Sequence, residues 1–235
     1  MQREHPQTHA LRTLVKNKKT NIAVAADVSS LTEVSSLLQC IGPHICLLKI
    51  HSDIFDDWSW EGMKEIQRIA EHHHVMLWED RKFADIGHIV SQQYHQGPFH
   101  YPQWAHFVSA HLLSGPSSIV DIHPSGVLVI AQMSSQPNLF TESVTQQILE
   151  WSSVSHSVAG VVCQHNPFPS LHSLVTISPG VHLSCQKDQR DQRYRTPHEA
   201  IFRDRVEILL VGRGITQSSD PLREVQKYQS CGWIS

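Results

Sequence analysis

Hydrophobic residues along the chain gather into eight short runs: NIAVAADV, ICLLKIH, VMLWED, WAHFVSAH, VLVIAQM, VAGVVCQ, LVTISPG and VEILLVGRG. Most are continuous rather than alternating, and several are rich in Val and Ile, a pattern that predicts parallel strands covered on both faces. Between them, LTEVSSLLQCI, WEGMKEIQRIAEHHH and LFTESVTQQILEWSS place apolar residues at three- and four-residue intervals, which predicts helices packed by one face. The gap HNPFPSLHS, between the sixth and seventh runs, is short and carries two prolines, so a degenerate helix is expected there.

Strand starts recur every 16 to 32 residues or so, and no Pro/Ser-rich linker divides the series. Eight strand–helix units joined by right-handed crossovers close naturally into a (β/α)8 TIM barrel, an α/β fold. The expectation is one barrel domain over residues 1–235, with residues 1–16 an N-terminal helix or arm. A doubly wound open sheet is the alternative. Against it, the first strand runs into ADVSS instead of a G-x-G-x-x-G turn, and no Walker A sequence occurs.

Composition narrows the chemistry. Only 17% of the 235 residues are charged, 18 are His, and the formal net charge is -3. That balance argues against a nucleic-acid or anionic-membrane surface and towards a small-molecule substrate. No apolar run approaches a membrane span, and the start, MQREHPQTHALRTL, lacks the pattern of a signal peptide, so a cytoplasmic protein is expected. The five cysteines form an odd set with no C-x-x-C pair and read as reduced thiols.

In a barrel, chemistry sits at the C-terminal ends of the strands. The first run ends in Asp27, the second in Lys49 and His51, the third in Asp80 and Lys82, with Asp85 three residues on. Lys49 and His51 share strand parity, as do Asp80 and Lys82, so each pair projects to one side. Surface ion pairs are the plain reading of K-x-H or D-x-K-x-x-D alone. Charges that terminate three consecutive apolar strands instead suggest a fixed cluster able to press a carboxylate against a substrate and offer an ammonium as proton donor. At the far end of the series, Gly212, Arg213 and Gly214 follow the eighth strand, where this fold commonly binds phosphate. The basic loop QKDQRDQRYRT, with Lys187, Arg190, Arg193 and Arg195, precedes it. A phosphorylated substrate is the better expectation. His72, His73 and His74 are consecutive and cannot converge on one ion, and the other histidines are scattered, so no metal site is expected.

The ordered segments ADVSS, CLLKIHSDI, LWEDRKFADIG, AQMSS, SPGV, QRYRT and ILLVGRGI resemble the eukaryotic-type branch of the orotidine 5'-phosphate decarboxylase family over about residues 17 to 225. The resemblance implies a homodimeric (β/α)8 barrel that converts orotidine 5'-monophosphate (OMP) to UMP and CO2 without metal or cofactor, in sites shared across the dimer interface. It implies Lys49, Asp80 and Lys82 from one subunit and Asp85 from the other as catalytic residues, with Lys82 protonating C6. Asp27 and Lys49 are then expected to hold ribose, Ser134 the pyrimidine, and Gln192, Tyr194, Gly212 and Arg213 the phosphate, with His51, Ile86 and Pro179 completing the substrate contacts. It also implies a decarboxylase-only chain without a transferase segment.

Several positions depart from the family pattern: Ile89 stands for Thr, Gln132 for Glu, the serines of MSSQPNL lack a following glycine, and the lid segment LSCQKDQRDQRYRT lacks its glycines. Mg2+-dependent sugar-phosphate decarboxylases or aldolases of the same barrel are an alternative, disfavoured because the Lys49 ammonium would repel a cation. A nucleotide-binding homologue without turnover is the other alternative, supported by the altered lid and Ile89.

Overall fold

The structure is a computed structural model that describes residues 4–135, 137–167, 172–183 and 194–233. Eight strands, β1 (Ile22–Ala25), β2 (Leu47–Ile50), β3 (Met76–Phe83), β4 (Phe107–Ala110), β5 (Gly126–Ile130), β6 (Val158–Val162), β7 (Val175–Ser178) and β8 (Ile208–Val211), form a closed barrel in sequence order. Each pairs in parallel with the next, and β8 pairs with β1. The helices are α1 (Pro6–Lys18), α2 (Leu31–Ile41), α3 (Trp60–His72), α4 (Gly87–His95), α5 (Glu142–Val154), α6 (Arg213–Thr216) and α7 (Pro221–Gly232). The eight apolar runs thus correspond to the eight strands, and the α/β barrel expected from them is the fold found.

Continuous hydrophobicity is required because alternate residues enter different cores. Ala23, Ala25, Leu47, Met76, Trp78, Phe107, Leu128 and Ile130 fill the barrel interior. Their neighbours Ile22, Val24, Leu48, Leu77, Val108, Val127 and Val129 pack outward beneath the helices. This period of two fixes which polar residues can reach the barrel mouth. Asp27 continues the inward series of Ala23 and Ala25, Lys49 that of Leu47, and Asp80 that of Met76 and Trp78.

The surrounding helices start at sequence-encoded caps. Ser30 accepts from the Thr32 and Glu33 amides at the start of α2, Ser59 from Gly62 at α3, and Thr141 from Val144 at α5. The cap at Thr141 explains why α5 starts at Glu142, leaving Leu139 89% exposed ahead of it although the apolar pattern reached back to that residue. At the other end of α3 the helix stops at His72, two residues short of the pattern, because His74 turns to φ 51. Lys18 donates to the carbonyls of Gly42, Ile45, His73 and His74 there. The carbonyl end of α3 is therefore met by a half-buried lysine, pushed down to about 8 by desolvation. Of the stretch expected to be a degenerate helix, residues 168–171 lie outside the described residues, and the described residues on either side form no helix.

Residues 6–18 form a plug. Leu11 is fully buried in the inner core, with Leu14 and Val15 packed against it. Thr8 donates to the Ala159 carbonyl at 2.6 Å, and the Arg12 guanidinium forks onto Glu207 at 2.8 and 2.7 Å. The end of the barrel away from the polar mouth is thus closed by α1.

Candidate active site

The inward, C-terminal layer of β1, β2 and β3 is a charge network. Lys49 Nζ lies 2.7 Å from Asp27 Oδ1 and 3.2 Å from Asp80 Oδ2. Lys82 Nζ lies 2.6 Å from the same Asp80 oxygen. His51 Nε2 completes the group at 2.9 Å from Lys49 Nζ and 3.3 Å from Asp80 Oδ2. Burial would raise the Asp80 carboxyl. A hydrogen bond from His51 and the charges of Lys49 and Lys82 outweigh it and hold the group far below the usual carboxylate range. For the nearly buried Lys49, desolvation is likewise overcome, by Asp80 and then Asp27, so its pKa is raised and the ammonium is retained.

Backbone geometry delivers Lys82. The β3–β4 register pairs Glu79 with Val108 and Phe83 with Ala110, so Asp80, Arg81 and Lys82 oppose Ser109 alone. Lys82 takes φ 55, a left-handed conformation costly for a residue with a Cβ. The bulge keeps Asp80 in the inward series while turning the lysine side chain back onto it.

These groups form one wall of a cavity of about 700 Å³, a size suited to a nucleotide-scale ligand. Trp78 and Ile130 contribute to its apolar lining, and Gln132 and Ser134 approach from beyond β5. Pro179, His182, Tyr194, Gly212 and Arg213 line the cavity from the β7 and β8 side. Arg213 Nη2 donates to the Tyr194 hydroxyl at 2.8 Å, so the cation expected to meet a phosphate is fixed by the residue expected beside it. A ligand spanning this space would face alternating charges at one end and a guanidinium at the other.

Among the substrate contacts expected from sequence, the cavity gathers Asp27, Lys49, His51, Asp80, Lys82, Ser134, Pro179, Tyr194, Gly212 and Arg213. Asp85 and Ile86 are not in its lining; both are exposed at the start of α4, with Ile86 61% accessible. Gln192, Lys187, Arg190 and Arg193 lie outside the described residues. Arg195, read as part of a basic phosphate loop, has a structural role instead: it pairs with Asp204 at 2.6 Å and donates to Ser178 Oγ and to the carbonyls of Pro179 and Gln164. Gly214 likewise has a packing reason, since a Cβ there would collide with the Tyr228 hydroxyl.

Two residues escaped the sequence reading. Ser109, fully buried, accepts from the Lys82 amide at 3.0 Å and donates to Asp80 Oδ1 at 2.6 Å. Its signal was parity: it follows Phe107 in the inward series of β4. Glu79 is buried behind the site, its Oε2 accepting from the Ser52 amide at 2.9 Å. With His51 and Asp53 it forms, among the described residues, a His/carboxylate group whose ligand atoms lie within 4.8 Å of one another. The ammonium of Lys49, 2.9 Å from His51 Nε2, opposes a cation at that point.

The family profile described as Orotidine 5'-phosphate decarboxylase / HUMPS family matches residues 20–228. The chain belongs to this family. The orotidine 5'-phosphate decarboxylase of Phycomyces blakesleeanus is 35% identical over 242 residues, covering 98% of this chain and 90% of that protein. That of Rhizopus oryzae is 36% identical over 234 residues, covering 95% and 88%. Among solved structures, Leishmania donovani UMP synthase superposes with a TM-score of 0.73 at 14% identity, over 94% of this chain and 54% of that one. The Methanocaldococcus jannaschii orotidine 5'-monophosphate decarboxylase complexed with the inhibitor BMP gives 0.70 at 18% identity, over 90% and 98%. Those two likenesses establish the fold.

The departures from the orotidine 5'-phosphate decarboxylase pattern acquire physical content. Gln132 Oε1 accepts from the amides of Gln164 at 2.7 Å and His165 at 3.2 Å, which ties the end of β5 to the turn after β6. Its Nε2 meets His165 Nε2 at 3.2 Å, a contact to which the amide nitrogen brings donors that a carboxylate lacks. Ile89 sits half-buried on α4, outside the cavity lining. Of the glycine-poor lid segment, residues 184–193 lie outside the described residues.

Proposed function

We propose that this chain decarboxylates OMP to UMP and CO2, a step of UMP biosynthesis, as a homodimeric single-domain barrel in the cytosol. The observation that carries the reading is the Asp80 carboxylate, held ionised between the ammoniums of Lys49 and Lys82 in a cavity whose opposite side presents Arg213. Arg213 and Tyr194, with the Gly212 backbone and Gln192, are assigned to the phosphate. Asp27 and Lys49 are assigned to the ribose, with His51 beside them, and Ser134 to the pyrimidine near Pro179. This orientation brings the substrate carboxylate to Asp80. The bond from C6 to the carboxyl carbon breaks, CO2 leaves, and the electron pair stays on C6. The Lys82 ammonium, fixed before reaction, stabilises that pair and then transfers a proton to it. Asp80 against the substrate carboxylate adds repulsion that vanishes with CO2, offset by binding energy at the distant phosphate.

Asp85 is assigned to the partner subunit's site, together with Ile86. What supports this is their exposure outside the cavity of their own chain, beside other uncovered apolar residues, Leu113 at 72% and Val120 at 60%. No helix among the described residues is long and apolar enough to cross a membrane. The buried thiols Cys46 and Cys163 are unpaired, which fits a reducing compartment.

The test is decarboxylation of OMP followed by its ultraviolet absorbance change, with EDTA present and at two protein concentrations. Turnover is expected, with specific activity rising with concentration through the dimerisation range. Lys82→Ala is expected to abolish turnover while retaining UMP binding, and near-normal activity in that variant would overturn the proton-donor role. Tight UMP binding without CO2 release by the unaltered chain would favour a binding-only barrel. Turnover that EDTA removes would favour the Mg2+-dependent alternative.

A further inference from the structure

We propose that Ser109 is a positioning residue that sets both the Lys82 backbone and the working face of the Asp80 carboxylate. The inference rests on the decarboxylase reading of the same site. Three residues of β3 oppose one residue of β4, and the side chain of that residue replaces the missing ladder. Ser109 Oγ accepts from the Lys82 amide at 3.0 Å, a donor that the bulge takes out of ordinary strand pairing. The same hydroxyl donates a hydrogen bond to Asp80 Oδ1 at 2.6 Å. One hydroxyl thereby links the backbone of one charged residue to the side chain of another, and it is fully buried.

The consequence is a division of labour between the two carboxylate oxygens. Oδ1 is occupied by Ser109, so Oδ2 is the oxygen presented to Lys49, Lys82 and His51 at 3.2, 2.6 and 3.3 Å. Rotation of the carboxylate would exchange the two, at the cost of leaving the hydroxyl or the ammoniums without their acceptor. At the same time, φ 55 at Lys82 is a conformation that a non-glycine residue holds only when its surroundings enforce it. The hydrogen bond to its amide is one such constraint, and it acts on the backbone of the residue whose Nζ must meet C6. Loss of the hydroxyl would let both groups drift by fractions of an ångström, enough to weaken preorganised catalysis. Binding of the nucleotide through phosphate and ribose contacts on other strands should barely change.

The experiment measures kcat and KM for OMP, the Kd for UMP, and thermal stability, in the unaltered chain and in Ser109→Ala, Ser109→Cys and Ser109→Thr. Ser109→Ala should lower kcat by about 10- to 100-fold with the UMP Kd within about twofold. Ser109→Cys, close in size and a weak hydrogen-bonding group, should show the same pattern if the alanine variant is too unstable to assay. Ser109→Thr, which keeps the hydroxyl, should recover most of kcat. Unaltered kcat in the alanine or cysteine variant would overturn the proposal. So would a fall in UMP affinity equal to the fall in kcat, since that marks general damage to the site. A failure of the unaltered chain to turn over OMP would overturn the functional reading and this inference with it, whereas normal turnover in the unaltered chain and in Ser109→Ala would overturn the positioning role alone.

Discussion

At the scale of single residues, strand parity decides what each carboxylate does. Glu79 and Asp80 are adjacent on β3, yet Asp80 faces the barrel mouth and Glu79 faces the layer beneath the helices. Asp80 meets two ammoniums there, whereas Glu79 has Oε1 without a partner among the described residues. Burial, and secondarily the charges of Asp53 and Asp80, raise Glu79 to about 8 despite the Ser52 hydrogen bonds. A carboxyl raised in the fold above its unfolded value near 4.3 is protonated at acid pH in both states. Its contribution to stability is complete below the unfolded pKa and is lost as pH rises through the folded one. Glu79→Gln, which keeps the shape without the ionisation, should match the unaltered chain at about pH 4 and below and gain on it up to about pH 8. The gap in Tm should open by roughly 2–4 °C per kcal/mol of that linkage. Parallel Tm-against-pH curves for the two proteins would show that Glu79 is not held protonated. Asp27, Lys49, Asp80 and Lys82 were legible in the sequence because each interrupts an apolar run at its C-terminal end. Ser109 was not, since a small polar residue inside WAHFVSAH looks like strand filler until the β3 bulge shows three residues opposite it.

At the scale of elements, the eight strands were legible because a residue buried in either core must be apolar, and that demand is written continuously into each run. Helix limits were less so, because they depend on caps and distant partners: Thr141 starts α5 after Leu139, and Lys18 meets the carbonyl end of α3 from another helix. The role of α1 was also hidden, since PQTHALRTLVKNK carries few apolar residues and gives no sign of where they dock. The structure shows Leu11 completing the inner core from below. Leu11→Ala should therefore cost about 2–5 kcal/mol of stability, through lost transfer energy and the cavity left behind. Its kcat and KM should stay close to those of the unaltered chain below the melting transition, because α1 closes the end opposite the charge network. Urea unfolding together with OMP kinetics checks this. A tenfold fall in kcat at unchanged stability would mean that the plug acts on the catalytic end.

At the scale of the whole molecule, the single chain assembles most of the proposed site but leaves two expected members, Asp85 and Ile86, outside its cavity. Asp80 and Lys82 line the cavity, while Asp85 is exposed next to Ile86 on a surface that includes Leu113 and Val120. Gly87 packs close to the backbone of Ser117, so the Asp85 segment touches the loop that carries Leu113 and Val120. If a second copy covers that surface, each site draws Lys82 from one subunit and Asp85 from the other. Two variants that are inactive alone should then rescue each other. In a dimer of one Lys82→Ala chain and one Asp85→Ala chain, one site carries both defects and the other carries neither. Random pairing of equal amounts makes about half of the dimers mixed, so about a quarter of the unaltered activity should return after subunit exchange. Differently tagged chains, co-purified to verify that exchange has occurred, make the assay decisive. Recovery to about that level identifies a shared site; mixed dimers no more active than their parents would confine Asp85 to its own subunit and remove the assignment made from its exposure.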